Sequence, residues 1–401
     1  MIFFNTVLGQ WHRHCCRSRV MNGKIGLALT SGGARSAYQA GALRAIAEIT
    51  QASTLPFTFL SGVSAGSINS TYLACNAENF PDAADKLSRF WCNLRPSDVF
   101  LTDNLTLTRT GFSWLSDLSL GGWLGKSHGK SLLITSPLEK LLKEKLDLGA
   151  LKANLKSGLV QGIAITATNY HSGTAVTFFD GHHTIQPWNR STRIAVRAQL
   201  TVGHVMASSA IPVFFPAIKI NNTYYGDGCV RMNTPMSPVI HMGADRVLAI
   251  GVRHERSMEK VADMNQARSP AYPRLAEISG VLLNAMFLDA LEEDVERMSR
   301  INQTISLIPE ELRKTNPSKL RPVPVMILRP SRDLGRLVAD AMKEFPFAVR
   351  HLLSGLGAKE ESGWDFLSYL AFDSAYTAKL VDLGYEDTIR QKHVLSKFME
   401  C

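Results

Sequence analysis

Two strand–turn–helix patterns follow one another near the start of the chain, and they restrict its fold more than any other feature. Residues 24–30 form an apolar run of strand length, and a glycine turn leads into residues 35–49, where apolar side chains recur at helical spacing. The same order recurs between residues 57 and 77. Adjacent units of this kind predict an α/β fold in which helices cover a parallel sheet.

The composition is that of a globular protein with a large core. The chain has 401 residues, of which 45% are hydrophobic and 20% are charged, and this excludes a disordered, collagen-like or coiled-coil protein. The longest uninterrupted apolar run, residues 210–218, includes two prolines, whereas a helix that spans a membrane needs about 20 apolar residues. We therefore expect no transmembrane helix.

The charge and the cysteines bear on partners and location. A net charge of +9, from 44 Lys and Arg against 35 Asp and Glu, is spread without a long block of like charge. It would favour peripheral contact with an anionic membrane surface, and it equally describes a solvated basic surface. The six cysteines show no metal-ligand spacing. We expect a protein of the reducing cytoplasm that contacts membranes peripherally and binds no nucleic acid.

Two segments lack regular periodicity. Residues 1–22 place their basic cluster after an apolar stretch, the reverse of a secretory signal peptide, so we expect a disordered leader, with Met21 as a candidate start of translation. Residues 90–130 are consistent with a lid, an acyl-binding wall or a loop packed on its own side chains. Their aromatic residues include Trp91, Phe100, Phe112, Trp114 and Trp123.

The rest of the chain alternates between predicted strands and helices. Apolar runs and their spacing predict strands at residues 159–167, 175–179, near 223 and 246–252, and helices at residues 136–148, 194–209 and 235–241. Residues 253–401 are predicted to be mostly helical, with one strand at residues 323–328. They contain no catalytic motif.

A Gly-x-Ser-x-Gly sequence at residues 62–66 lies where the second predicted strand gives way to its helix. In this context the motif indicates a nucleophile on a sharp turn, here Ser64. Gly62 and Gly66 are the elbow glycines, because the backbone of such a turn passes close to its neighbours. The amide groups at the start of the helix would point toward the attacked carbonyl group. The motif therefore predicts a serine hydrolase.

A second glycine turn, at residues 31–36, follows the first predicted strand. Glycines let backbone N–H groups approach an oxyanion closely, so this turn could form an oxyanion hole. A phosphate-binding turn and a plain tight turn are the alternatives. The glycine spacings of dinucleotide-binding and P-loop sequences are absent, which disfavours nucleotide binding.

A carboxylate is expected at the end of a further strand. Asp227 ends a short run at residues 223–226 and precedes Gly228, so the Asp-Gly pair predicts a turn there. An aspartate with its ordinary pKa of about 3.9 is a weak base for a serine hydroxyl. A catalytic role would therefore require burial that raises this pKa.

Four motifs in order resemble the patatin-like phospholipase family, bacterial type. They lie at residues 26–46, 62–66, 207–216 and 227–235. The resemblance implies a three-layer α/β/α fold with a mostly parallel sheet, a phospholipase domain over residues 24–252 and a mainly helical C-terminal extension over residues 253–401. It also implies a lipid acyl hydrolase of the phospholipase A or lysophospholipase type, which cleaves glycerolipid esters by a Ser-Asp dyad without a metal or organic cofactor.

The resemblance assigns roles to individual positions. Ser64 matches the family's nucleophile, and Asp227 matches the aspartate of its Asp-Gly motif. Gly32 and Gly33 match two glycines of the oxyanion loop, and we expect the N–H group of Ala34 to join them.

The sequence departs from the family in the glycine loop. Ser31 and Ser36 stand where the family usually has glycine. If either position needed left-handed backbone geometry, serine would cost about 1–2 kcal/mol and weaken the oxyanion hole. Arg35 matches the basic residue of the family loop, either as an anchor of the loop or as a contact for a phosphate headgroup. Cys229 replaces a usual Gly or Ala, and we expect a small buried side chain.

Two other functions stay open on the sequence. Histidines that follow Asp227 could complete a Ser-Asp-His carboxylesterase, and the serines of the glycine loop could instead leave a catalytically impaired lipid-binding protein. Residues 212–216 could line an acyl channel or form core packing that positions the turn at Asp227. The candidate histidines are His241, His254, His351 and His393.

Overall fold

The computed structural model describes most of the chain. The described residues are 23–101, 131–255, 258–266, 275–315, 321–341 and 364–400. The expected leader, and Phe112, Trp114 and Trp123 of the aromatic segment, lie outside the described residues.

Within these residues the strands form a single mixed sheet. They are β1 (Ile25–Leu29), β2 (Phe59–Val63), β3 (Gly162–Asn169), β4 (Ala175–Gly181), β5 (Asn189–Arg190), β6 (Arg193–Arg197), β7 (Ile218–Ile220), β8 (Thr223–Asp227), β9 (Arg246–Ile250) and β10 (Val325–Leu328). The strand order is β10-β9-β1-β2-β3-β4-β6-β5, while β8 pairs with β3 and with β7.

The sheet is mostly parallel, as predicted. The strands β10, β9, β1, β2 and β3 all run in the same direction, and β4 runs antiparallel to β3. Every residue of β1, β2 and β9 is buried. This explains their continuous apolar runs, because parallel strands covered on both faces have no solvent-facing side.

Helices flank the sheet. They are α1 (Ala37–Thr50), α2 (Ala65–Cys75), α3 (Phe80–Cys92), α4 (Pro96–Val99), α5 (Ser136–Lys145), α6 (Leu148–Ser157), α7 (Val202–Ser208), α8 (Ser237–Met242), α9 (Met258–Gln266), α10 (Leu275–Phe287), α11 (Asp289–Ser306), α12 (Glu310–Thr315), α13 (Leu334–Ala341), α14 (Trp364–Leu370), α15 (Ser374–Arg390) and α16 (Lys392–Glu400). Among the described helices, none is both long and apolar enough to cross a membrane.

Two hydrophobic cores, one on each face of the sheet, make the fold three-layered. In β1, Leu27 and Leu29 belong to the larger core, which includes side chains of α1, α2 and α15. Ala28 points the other way, into a smaller core that includes side chains of α8 and α11. This alternation is the normal two-residue period of a strand, and it confirms the predicted α/β/α arrangement.

The residues after 252 complete both the sheet and the larger core. The strand predicted at residues 323–328 is β10, which extends the sheet beside β9. Helix α15 packs directly on α1, since a Cβ atom at Gly41 would lie 1.8 Å from the Val381 carbonyl oxygen and one at Gly384 would lie 2.1 Å from the Tyr38 carbonyl oxygen. The C-terminal region is mainly helical, as predicted; the division after residue 252 stays a prediction.

The helix predicted at residues 194–209 is wrong in its first part. Residues Arg193–Arg197 form β6, which runs parallel to β4, and the helix is limited to Val202–Ser208. The segment contains two β-branched residues, Ile194 and Val196, which favour a strand. Pairing with β4 decides the structure, and this pairing is a long-range contact that helical spacing does not detect.

Candidate active site

Ser64 lies on a strained turn between β2 and α2. Its backbone angles are φ 55° and ψ −132°, a conformation that a residue with a side chain rarely adopts. Strain of this kind is stored at functional sites when the surrounding structure holds it. The side chain is buried, with 1% of the residue exposed.

The elbow glycines are required by close backbone contacts. A Cβ atom at Gly66 would lie 2.4 Å from the Leu29 carbonyl oxygen, and one at Gly62 would lie 2.4 Å from the Gly66 carbonyl oxygen. Real Cβ atoms do not approach this closely, so both positions need glycine. The turn therefore packs against the end of β1, which leads into the glycine loop.

Asp227 lies at the end of β8, next to the end of β2. In the register of the sheet, Val63 pairs with Thr166 of β3, and Asp227 pairs with the following residue, Ala167. Because β4 occupies the other edge of β3, β2 and β8 share one edge and meet end to end. This geometry brings Ser64 and Asp227 together, although they lie 163 positions apart in the chain.

The Asp227 carboxyl group is completely buried. Burial raises its pKa to about 6, and hydrogen bonding from the Ser64 side chain and from Cys229 opposes part of this rise. The Cys229 N–H donates to Oδ1 over 3.0 Å. Oδ2 has no hydrogen bond of regular geometry within the described residues. Asp227 is therefore a stronger base than an ordinary aspartate.

The end of α7 and the residues just after it hold both Ser64 and Asp227 by their backbones. The Ser208 hydroxyl accepts a hydrogen bond from the Ser64 N–H over 3.0 Å and donates to the Thr166 carbonyl oxygen over 2.6 Å. The Asp227 N–H donates to the Ala210 carbonyl oxygen over 2.9 Å. The sequence suggested that residues 212–216 position the turn at Asp227, but it did not identify the hydrogen bonds of Ser208 and Ala210.

The glycine loop presents backbone N–H groups beside Ser64. Gly33 and Ala34 begin a 3₁₀ turn, Gly33–Ser36, and the first N–H groups of such a turn have no acceptor within it. Gly33 has φ 54°, and a Cβ atom there would lie 2.3 Å from the Tyr369 carbonyl oxygen. A Cβ atom at Gly32 would lie 2.6 Å from a Val252 methyl group. Both glycines are therefore required by the packing.

The two serines of the glycine loop do not adopt the left-handed backbone geometry that would strain them. Neither Ser31 nor Ser36 has positive φ, and Ser36 lies in the ordinary helical region with φ −68°. The Ser31 hydroxyl donates to the Phe287 carbonyl oxygen over 2.9 Å. The two serines therefore fit the loop without the backbone cost that left-handed geometry would impose.

Arg35 anchors the glycine loop to the C-terminal helix α14. It is 3% exposed, and its Nε donates to the Ser368 hydroxyl over 2.7 Å while Nη2 donates to Asp365 Oδ1 over 2.8 Å. The guanidinium group also lies 4.3 Å from the centre of the Tyr369 ring. These contacts occupy the charged group, which supports the anchoring role over contact with a headgroup.

A narrow apolar pocket opens beside Ser64. Its volume is about 20 Å³, room for about one water molecule, so an acyl chain would enter only after lining side chains move. Ser209, Ile211 and Phe215 line it, which assigns three residues of the 207–216 motif to the wall. The lining residues are Gly33, Ser64, Ala65, Ile68, Phe90, Trp91, Leu94, Val99, Leu138, Ser209, Ile211, Phe215 and Phe372.

The candidate histidines that lie in the described residues have surroundings other than Ser64 and Asp227. His241 stacks on Trp188, where burial, Arg190 and Arg193 lower its pKa to about 4. A ring nitrogen of His254 bonds the Pro330 carbonyl oxygen over 3.1 Å, and His393 is exposed in α16. His351 lies outside the described residues.

Three cysteines lie in the described part of the chain. Cys75, Cys92 and Cys229 are free thiols there, and Cys229 is buried, as expected. Within the same residues, no group of His, Cys, Asp and Glu side chains could hold a metal ion.

Comparison with known proteins identifies the family. The model of the family described as patatin-like phospholipase matches residues 27–240, more than half of the chain. The chain therefore belongs to the patatin-like phospholipase family. A search of curated proteins gave no significant match.

Several solved structures are similar at low sequence identity. VipD from Legionella pneumophila is 14% identical, over 93% of this chain and 67% of that one, with a TM-score of 0.35. Human GIVD cytosolic phospholipase A2, in complex with methyl gamma-linolenyl fluorophosphonate, is 12% identical over 94% of this chain, with a TM-score of 0.42. ExoU, in complex with SpcU from the type III secretion system of Pseudomonas aeruginosa, is 15% identical over 87% of this chain and 72% of that one, with a TM-score of 0.27. The match spans 59% of the human phospholipase.

Proposed function

We propose that the protein hydrolyses ester bonds of glycerolipids, as a phospholipase A or lysophospholipase, with Ser64 and Asp227 as a catalytic dyad. The observation that carries the proposal is the meeting of two strand ends on one edge of β3. It brings a serine on a strained elbow beside a buried aspartate whose pKa is raised to about 6.

The dyad would work through an acyl-enzyme. Ser64 Oγ attacks the ester carbonyl carbon while its proton passes to Asp227, and collapse of the tetrahedral intermediate releases the alcohol. Water then attacks the acyl-enzyme and releases the fatty acid. The raised pKa of Asp227 improves proton transfer, since a base is most effective when its pKa approaches the operating pH.

The glycine loop would stabilise the developing oxyanion. The N–H groups of Gly32, Gly33 and Ala34 are the proposed donors, and Gly33 lines the pocket together with Ser64. Removal of one such donor typically costs about 2.7–4 kcal/mol of transition-state stabilisation. Because Arg35 anchors the loop to α14, we assign it to positioning of the donors.

The pocket favours an apolar acyl group. Its wall combines aliphatic and aromatic side chains from both parts of the chain, and the positive net charge would assist contact with an anionic lipid surface. We therefore place the protein on membranes peripherally, with a lipid as substrate.

Release of fatty acid from phospholipid vesicles tests the proposal. Ser64→Ala and Asp227→Asn should each lower turnover at least about 100-fold, and a fluorophosphonate probe should label the wild-type protein and leave Ser64→Ala unlabelled. Circular dichroism of each variant checks the fold. Wild-type turnover by either folded variant would remove the dyad, and a folded wild-type protein that the probe does not label would instead favour a lipid-binding role.

A further inference from the structure

Ser209 lies between the two residues that hold the dyad. On one side, the Ser208 hydroxyl bonds the Ser64 N–H, and on the other, the Ala210 carbonyl oxygen bonds the Asp227 N–H. The backbone of Ser209 is itself fixed, because its N–H donates to the Val205 carbonyl oxygen over 3.0 Å. Ser209 therefore lies between the groups that hold Ser64 and Asp227, and its side chain lines the same pocket as Ser64.

The Ser209 hydroxyl is buried, unpartnered and inside the pocket. The residue is 6% exposed, and within the described residues its Oγ has no hydrogen-bond partner. It lines the pocket with Ser64 and Gly33, and the other lining side chains are hydrophobic. A buried hydroxyl without a partner costs about 1–3 kcal/mol, so this group is poised to bond with a ligand that enters the pocket.

The side of the pocket on which Ser209 lies indicates which ligand atom it would meet. The glycine loop follows β1, on one side of β2, whereas Asp227 and the segment that contains Ser209 lie on the other side, beside β3. An ester that turns its carbonyl oxygen toward the glycine loop and lays its acyl chain along the apolar wall leaves its alkoxy oxygen on the side of Asp227 and Ser209. That oxygen is the leaving group, and it must receive a proton as it departs.

We propose that Ser209 is a further catalytic residue, whose hydroxyl donates a hydrogen bond to the leaving-group oxygen of the ester. The inference rests on the proposed hydrolase function. As the tetrahedral intermediate collapses, the bond from the carbonyl carbon to this oxygen breaks and its electron pair goes to the oxygen. The proton that Asp227 took from Ser64 passes to the same oxygen, and Ser209 keeps its own proton.

A comparison of two leaving groups tests the role of Ser209. The substrates are the glyceryl ester and the p-nitrophenyl ester of one acyl chain, of a length that the wild-type protein hydrolyses. Ser209→Ala should lower kcat for the glyceryl ester about 10- to 100-fold, with KM changed less than about twofold. The p-nitrophenyl ester should lose less than about threefold, because its acidic phenol departs without assistance.

Thr71→Val is the matched control. Thr71 Oγ1 is another buried hydroxyl without a partner in the described residues, and it lies in α2 outside the lining of the pocket. Both variants should keep or raise the thermal midpoint, since neither loses a hydrogen bond, and Thr71→Val should keep wild-type kcat on both esters.

The outcomes separate this inference from the hydrolase proposal. If Ser209→Ala matches wild-type kcat on the glyceryl ester, or loses equal activity on both esters, the leaving-group role is overturned and the dyad stands. If the wild-type protein is no more active on either ester than Ser64→Ala, the hydrolase proposal fails, and this inference fails with it.

Discussion

Val213 is strained in a way that the local sequence does not require. Its φ is 70°, a left-handed angle that is a genuine outlier for a β-branched residue, and 53% of the residue is exposed. The carbonyl oxygens of Val213 and Phe214 accept hydrogen bonds from Leu132 and Leu133. These bonds fix the segment that carries Ile211 and Phe215 into the pocket wall.

Val213→Asn should stabilise the protein by about 1 kcal/mol, because asparagine tolerates left-handed geometry and little apolar surface is lost. The measurement is urea unfolding, with a higher midpoint at unchanged slope. Val196→Asn is the control: this valine is also exposed but has ordinary strand geometry in β6, and the same change there should destabilise. An equal loss of stability in the two variants would contradict the inference that Val213 is strained.

The ionisation of Asp227 should make the activity fall at acidic pH. Its carboxylate must be ionised to accept the Ser64 proton, so kcat/KM on a soluble ester should fall below about pH 6, the raised pKa of this group. The free energy of unfolding should change in the opposite sense, and rise as the pH falls.

The pKa of Asp227 in the folded state is above the unfolded value of about 3.9, so the folded state binds more protons between pH 4 and 6. The stabilisation from this group is therefore lost as pH rises through that range.

Comparison with Asp227→Asn isolates the contribution of this residue. The control is needed because burial also raises the pKa of Asp294 to about 6, with the same sign of effect on stability. The wild-type protein should gain roughly 2–3 kcal/mol more than Asp227→Asn on acidification from about pH 7 to pH 4. Parallel stability curves for the two proteins would show that Asp227 is not buried as described.

At the scale of elements, the glycine loop depends on helix α14. Arg35 is buried and pairs with Asp365, whose other carboxylate oxygen accepts a hydrogen bond from Asn284 Nδ2 over 3.1 Å. The Tyr369 backbone packs against Gly33, and the Tyr369 hydroxyl donates a hydrogen bond to Asn284 Oδ1 over 2.6 Å. The proposed oxyanion donors are therefore set by a helix outside the matched family region.

Asp365→Ala should destabilise the protein by about 3 kcal/mol, because it leaves the Arg35 charge buried and unpaired. It should also lower kcat more than it raises KM, since the loop donors act on the transition state. The Arg35→Met, Asp365→Ala double variant should recover part of the stability in urea unfolding. Asp85→Ala, which breaks an exposed ion pair with Arg89, should cost less than about 1 kcal/mol of stability. A similar loss of stability at both aspartates would contradict the proposed role of Asp365 in holding Arg35.

The sequence revealed the elements that carry local signatures and missed those set by distant contacts. The elbow at Ser64 and the Asp-Gly turn were predicted because glycine spacing and strand ends are local. The first part of the segment 194–209 was misassigned because its pairing with β4 is not local. The sequence offered an anchoring role for Arg35 but did not identify its partner, since Asp365 lies 330 positions away in the chain.

At the scale of the whole molecule, the two parts of the chain share one core. Side chains from α1, α2, α14 and α15 belong to a single hydrophobic cluster, and Phe372 lines the pocket with Ser64. The sequence predicted a boundary after residue 252 because the family motifs end there. The contacts that join the two parts include close backbone approaches at Gly41 and Gly384, and no sequence motif marks these positions.

A shared core predicts one cooperative unfolding transition. Tryptophan fluorescence and far-ultraviolet circular dichroism should report the same midpoint in urea, and Gly384→Ala should lower it strongly for both probes. The added Cβ atom would lie 2.1 Å from the Tyr38 carbonyl oxygen, so α15 must move away from α1. Gly280→Ala, in α10, is the control. Its Cβ atom would meet only ordinary contacts, at 3.5 Å from Asp365 and 3.6 Å from Phe366 of α14, and alanine should stabilise α10 by up to about 1 kcal/mol. Two separate transitions, with only one shifted by Gly384→Ala, would show that residues 253–401 fold independently of the sheet they complete.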